Sequence, residues 1–136
     1  MTDPGLLFEE AKKAREYSYS PYSHFAVGAA LLTEDGKIYT GCNIENSSFS
    51  VTNCAERTAL FKAVSEGERK FFAIAIAGAK VLNDGTKEEA FCPPCGVCRQ
   101  ALSEFCNEDL SVMIGKEDGT YMVTTLKELL PFKFGL

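Results

Sequence analysis

The chain has 136 residues, 46% of them hydrophobic and 24% charged, the balance of an ordinary globular domain. Its 19 acidic residues outnumber its 14 basic ones, for a formal net charge of -5. That argues against a nucleic-acid binder, which carries a basic face, and suits a small and roughly neutral ligand. No basic-then-apolar leader opens the sequence and no apolar run approaches the length needed to span a bilayer. A cytoplasmic protein with a single domain over residues 1–136 is therefore expected, without membrane or nucleic-acid partners.

Asp3-Pro4 predicts an N-cap followed by a first-turn proline, and Leu6, Leu7, Ala11 and Ala14 recur at helical spacing. This helix must stop before Pro21, because the residue ahead of a proline avoids helical backbone. Phe25 to Leu32 is an apolar run, Asp35-Gly36 a turn, and Ile38 to Cys42 a second strand, together an antiparallel hairpin. A polar stretch over Asn43 to Asn53 leads into a helix from about Cys54 to Glu66. Phe71 to Ala79 is continuously apolar, as expected of a strand buried on both faces. Lys80 to Ala90 is polar and predicts a loop. A further helix spans about Cys95 to Phe105, followed by strands at Leu110–Gly115 and Thr120–Val123 and a short helix at Thr125–Leu130. The order predicts an α/β fold, a three-layer α-β-α sandwich around a mixed sheet of about five strands.

Six cysteines occupy positions 42, 54, 92, 95, 98 and 106. In a reducing compartment such clusters point to metal or catalysis rather than disulfides. Cys95 and Cys98 share one face at the start of a helix, and Cys54 opens another, with Asn53 as its expected cap. Two helix N-termini would then face one metal, and their dipoles favour thiolates. Three protein ligands leave a position for water, as in a catalytic zinc site. Glu56, two residues past Cys54, could reach that water; alternatively it closes a capping box with Asn53. Three thiolates leave a zinc centre net negative, and Arg57 could offset this by hydrogen-bonding to them. Cys92 offers a rival, a closed structural site of Cys54, Cys92, Cys95 and Cys98 in a protein without chemistry. A redox pair is a third reading of the CxxC. Cys42 and Cys106 are expected to pack as small hydrophobes.

Several motifs in order resemble the short, homotetrameric cytidine deaminases. They are Tyr19-Ser20-Pro21-Tyr22-Ser23, Val27-Gly28-Ala29-Ala30, Gly41-Cys42-Asn43-Ile44-Glu45-Asn46, Cys54-Ala55-Glu56-Arg57-Thr58-Ala59, Pro94-Cys95-Gly96-Val97-Cys98-Arg99-Gln100 and Glu128-Leu129-Leu130-Pro131. The pairing of ligand-x-Glu with a later P-C-x-x-C is the signature of zinc nucleobase deaminases. The resemblance implies one zinc per subunit on Cys54, Cys95 and Cys98, with Glu56 shuttling protons. It implies that Asn43 and Glu45 hold ribose hydroxyls, that Phe25 packs on the pyrimidine and that the Ala55 backbone meets the base edge. It also implies that Phe49 and Phe134 reach a neighbouring subunit's substrate in a homotetramer. The expected reaction is hydrolytic deamination of cytidine and 2′-deoxycytidine. A deaminase for a cytosine-bearing antibiotic is the nearest rival among enzymes. The segment between Val81 and Ala90 looks longer than the family's connection, and Cys92 lies outside the family pattern.

Overall fold

In a computed structural model, residues 3–136 are described. The first helix, α1 (Pro4–Arg15), has Asp3 at its N-cap and Pro4 in its first turn, as the sequence predicts. Strands β1 (Phe25–Thr33) and β2 (Ile38–Cys42) form the expected antiparallel hairpin. Next come α2 (Ala55–Ser65), β3 (Phe71–Val81), β4 (Lys87–Ala90) and α3 (Gly96–Phe105). The chain closes with β5 (Ser111–Gly115), β6 (Tyr121–Thr125) and the short α4 (Leu126–Leu129). The main sheet order is β2-β1-β3-β5-β6, and only β3 and β5 run parallel.

The sheet has six strands rather than about five, because the expected loop over Lys80 to Ala90 contains β4. β5 pairs with the first half of β3, over Ala73 to Ile76. β4 pairs with the second half, from Gly78 to Val81. Lys87-Glu88-Glu89 has no strand-like apolar pattern, but the free edge of β3 supplies the backbone partners. Buried Arg15 then fixes the hairpin to α1, donating to the Gly78 carbonyl at 3.2 Å and meeting Glu89 at 2.8 Å.

Side-chain alternation along the strands divides the core into two layers. Ala30, Leu32, Ala73, Ala75 and Met113 face α1, against Leu7, Phe8 and Ala11. Val27, Leu31, Ile74, Ile76, Val112 and Ile114 face the other way, against Leu60, Leu102 and Leu126 of the remaining helices. Each fully buried Leu or Ile contributes on the order of 1.5–3 kcal/mol. β3 is buried on both faces from Ala73 to Ala79, as its composition predicts, whereas Phe72 near its start and Lys80 near its end are exposed.

Gly41 of β2 sits directly under the first turn of α2. A Cβ there would lie 2.5 Å from the Ala59 nitrogen and 2.6 Å from the Ala55 carbonyl oxygen. These are backbone atoms, so the contact cannot be relieved by a rotamer change. Gly41→Ala is expected to push α2 off the sheet and to lower stability by about 3 kcal/mol, the upper range for overpacking. Urea unfolding should show a lower midpoint at an unchanged slope. A wild-type midpoint would mean that α2 can shift at no cost.

Candidate active site

Cys54 is the N-cap of α2, and Cys95 is the N-cap of α3 with Cys98 in its first turn. Asn53 was the expected cap of α2. The cap falls instead on Cys54, whose side chain makes no capping bond, and the Asn53 amide donates to Thr58 Oγ1 at 3.1 Å. The Asn53–Glu56 capping box does not form. Glu56, 4% exposed, is turned into the protein instead.

The Sγ atoms of Cys54, Cys95 and Cys98 lie within 4.8 Å of one another, with Cys54 and Cys95 3.8 Å apart. Zinc–thiolate bonds of about 2.3 Å in a tetrahedron put sulfurs about 3.8 Å apart, so the donor set fits that ion. Arg57 Nη2 donates to Cys54 Sγ at 3.3 Å. The Cys54 thiol is lowered to about 5, first by a hydrogen bond with Cys98 and then by Arg57 and Cys95, against the opposing effect of burial. Cys98 is raised, by the same bond to Cys54 and by burial. Cys54 is thus the thiol that ionises first, and a divalent cation would supply the field in which all three thiols can ionise.

Burial raises the Glu56 carboxyl to about 7, and negative charge on Cys54 adds to the effect. A carboxyl poised there can take up and release a proton near neutrality. Cys92 does not join the cluster among the described residues. Its side chain packs where a Cβ on Gly78 would stand, and burial pushes its thiol up to about 12. The closed four-thiolate alternative is therefore not what the structure builds. Cys106 is buried, and burial pushes it up to about 12 as well; Cys42 is half-buried.

A cleft of about 260 Å³ opens beside the thiols, bordered by Cys54, Glu56 and Ala55 and also by Phe25, Asn43 and Glu45. The structure thus brings four of the residues singled out for substrate, Phe25, Asn43, Glu45 and Ala55, to the same cavity. Asn43 Oδ1 accepts from Val27 N at 2.9 Å and from Ser18 Oγ at 2.5 Å, and Nδ2 donates to the Phe25 carbonyl at 2.8 Å. One N–H of the amide remains to donate. Burial pushes Glu45 up, but hydrogen bonds from Ser23 and Tyr22 outweigh it and hold the carboxyl below its ordinary value. A donor from Asn43 and an acceptor from Glu45 are what a hydroxyl group needs. Phe49 and Phe134 do not border this cleft; they stand 78% and 69% exposed.

Sequence reasoning missed the supports. Arg99 donates to the Pro94 carbonyl at 2.7 Å and to the Leu129 carbonyl at 2.8 Å, tying the approach to Cys95 to α4. Ser18 and Ser23 hold Asn43 and Glu45. Their only signal was membership of, or adjacency to, the quoted motifs.

Fold and site together define a class, that of α/β proteins with a three-thiol metal centre and one buried carboxylate beside it. Residues 1–114 match the family described as "Cytidine and deoxycytidylate deaminase zinc-binding region". A cytidine deaminase of Sporosarcina psychrophila is 53% identical over 132 residues, covering 97% of this chain and 91% of that protein. One of Halalkalibacterium halodurans is 50% identical over 132 residues, covering 97% and 94%. The crystal structure of the Burkholderia pseudomallei cytidine deaminase superposes with a TM-score of 0.87 at 44% identity, covering 98% of this chain and all of that one. The chain belongs to the cytidine and deoxycytidylate deaminase family, and its cofactor is zinc. No helix among the described residues is long and apolar enough to cross a membrane.

Proposed function

We propose that the protein catalyses hydrolytic deamination of cytidine and 2′-deoxycytidine to uridine and 2′-deoxyuridine with release of ammonia, a step of pyrimidine salvage. One observation carries this reading: the three-thiol centre, buried Glu56 and the pair Asn43 and Glu45 border a single cleft. A zinc ion held by Cys54, Cys95 and Cys98 supplies the Lewis acidity that makes water a nucleophile near neutral pH. Glu56 accepts a proton from the attacking water and delivers it to ring N3, which makes C4 electrophilic. The water oxygen bonds to C4. Glu56 then carries a second proton to the amine, the C4–N bond breaks, and ammonia leaves. One carboxylate serves both transfers because each returns it to its starting state.

In this reading Arg57 draws charge from the Cys54 thiolate and keeps the centre electrophilic. Phe25 packs on the pyrimidine, the Ala55 backbone meets the base edge, and Asn43 and Glu45 share a sugar hydroxyl. The reading extends to a cytoplasmic homotetramer in which exposed Phe49 and Phe134 complete a neighbour's cleft.

The test is zinc-replete protein with cytidine, following uridine and ammonia; equal amounts of both are expected. Among the described residues no lysine or arginine borders the cleft, and Glu45 is held anionic. A 5′-phosphate would therefore meet like charge without a counter-ion, at a cost of several kcal/mol. The specificity constant for deoxycytidylate is expected to fall at least about 100-fold below that for 2′-deoxycytidine. Comparable constants for the two would show that a cation from elsewhere reaches the phosphate.

A further inference from the structure

Among the described residues only two that are not glycine have left-handed backbone, and one is His24 at φ 56°. Such a conformation is costly for a residue with a Cβ and gathers where function needs an unusual chain path. Two backbone bonds hold it, from His24 N to the Ser20 carbonyl at 3.0 Å and from Val81 N to the His24 carbonyl at 2.8 Å. The corner turns the chain from the loop that meets Glu45 into β1, where Phe25 borders the cleft.

The residue ahead of the corner joins both. Ser23 Oγ accepts from Phe25 N at 3.1 Å and donates to Glu45 Oε2. Ser23 N and Tyr22 N donate to Glu45 Oε1 at 3.1 and 3.0 Å. A carboxylate offers about four acceptor sites. Two on Oε1 and one on Oε2 are filled, so one on Oε2 stays open. Three protein donors fix the orientation of the carboxylate at the edge of the cleft, and the remaining acceptor is available to a hydroxyl of a ligand.

We propose that Ser23 is a positioning residue for substrate: its hydroxyl fixes the open lone pair of Glu45 relative to the Phe25 backbone. It thereby sets the spacing between the sugar hydroxyl and the pyrimidine that the cleft accepts. This rests on the reading of Glu45 as a sugar ligand. Because 2′-deoxycytidine belongs to the same substrate set, the ring hydroxyl concerned is the 3′ one. Ser23 touches neither the thiols nor Glu56 in the hydrogen bonds it makes, so its effect falls on binding and not on proton transfer.

The experiment compares wild type, Ser23→Ala and Ser23→Thr on cytidine and on 3′-deoxycytidine. Ser23 is exposed, and zinc content and melting temperature of each variant report that the fold is kept. Ser23→Ala is expected to raise KM for cytidine about tenfold, the scale of a hydrogen bond to a charged group, with kcat nearly unchanged. Ser23→Thr, which keeps the hydroxyl, should restore most of the loss. On 3′-deoxycytidine, Ser23→Ala and wild type should have the same KM, because the hydroxyl that Ser23 serves is absent. An unchanged KM for cytidine in Ser23→Ala, or an equal rise on both substrates, overturns the proposal. If wild type handles 3′-deoxycytidine as well as cytidine, the assignment of Glu45 itself fails, which is a different result from the failure of Ser23 alone.

Discussion

Glu56→Ala is expected to lower cytidine turnover by roughly ten-thousand-fold, the upper range for loss of a general acid–base group, while zinc stays bound. The reason lies in where α2 starts. Cys54 is the N-cap, so Glu56 is the second residue of the helix and its side chain is in the first turn, beside the ligands. The carboxyl is 4% exposed, and among the described residues no other titratable oxygen borders the cleft except Glu45, which is tied to Ser23 and Tyr22 and held below its ordinary pKa. No second group can therefore take over both transfers. Glu56→Gln keeps the shape and removes only the proton carrier, so it separates chemistry from packing. Uridine formation, zinc by elemental analysis and melting temperature are the three readouts. Near-normal turnover in either variant with zinc present would remove Glu56 from the mechanism.

The second large effect concerns the metal. Cys98→Ala should cut zinc affinity by far more than about 100-fold, the upper end seen when only an outer partner of a metal site is lost. Turnover should then fall to background at stoichiometric zinc. Cys98 is fully buried at the start of α3, and the ion would join that helix to α2 over one face of the sheet. Melting temperature should also fall, since binding to the native state alone stabilises it by mass action. Competition with a chromophoric chelator measures the affinity. The informative companion is Cys92→Ala. The thiol of Cys92 packs against Gly78 outside the cluster, so zinc stoichiometry should remain one per chain. Loss of zinc from Cys92→Ala as well as from Cys98→Ala would restore the four-thiolate alternative that the geometry displaces.

The two effects also separate the roles of neighbouring residues in one helix turn. Cys54, Glu56 and Arg57 are consecutive but for Ala55, yet one is a donor to metal, one is buried as a proton carrier, and one donates to the first. Loss of Glu56 spares the ion; loss of a thiol removes it.

Much of this was legible in the sequence because it is local. The Cys95–Cys98 spacing on a helix start, the Asp35-Gly36 turn between two apolar runs, and the unbroken apolar stretch from Phe71 are read within a few residues of each other. Periodicity and turn chemistry act over that range. So the α-β-α layering, the hairpin of β1 and β2 and the candidate metal ligands were all set by the chain itself. What only the tertiary structure decided depended on distant partners. Lys87 to Ala90 is a strand because β3 offers it an edge and Arg15, more than seventy residues earlier, meets Glu89. The helix cap fell on Cys54 rather than Asn53, whose amide is drawn to Thr58. Cys92 was excluded from the metal cluster by its packing on Gly78, although its CxxC spacing is as good as that of Cys95 and Cys98. Ser23 has no signal in the sequence beyond its place at the end of a quoted motif. Its place follows from a left-handed corner that brings it against Glu45, and hydrogen bonds between segments far apart in the chain leave no periodic trace in either one.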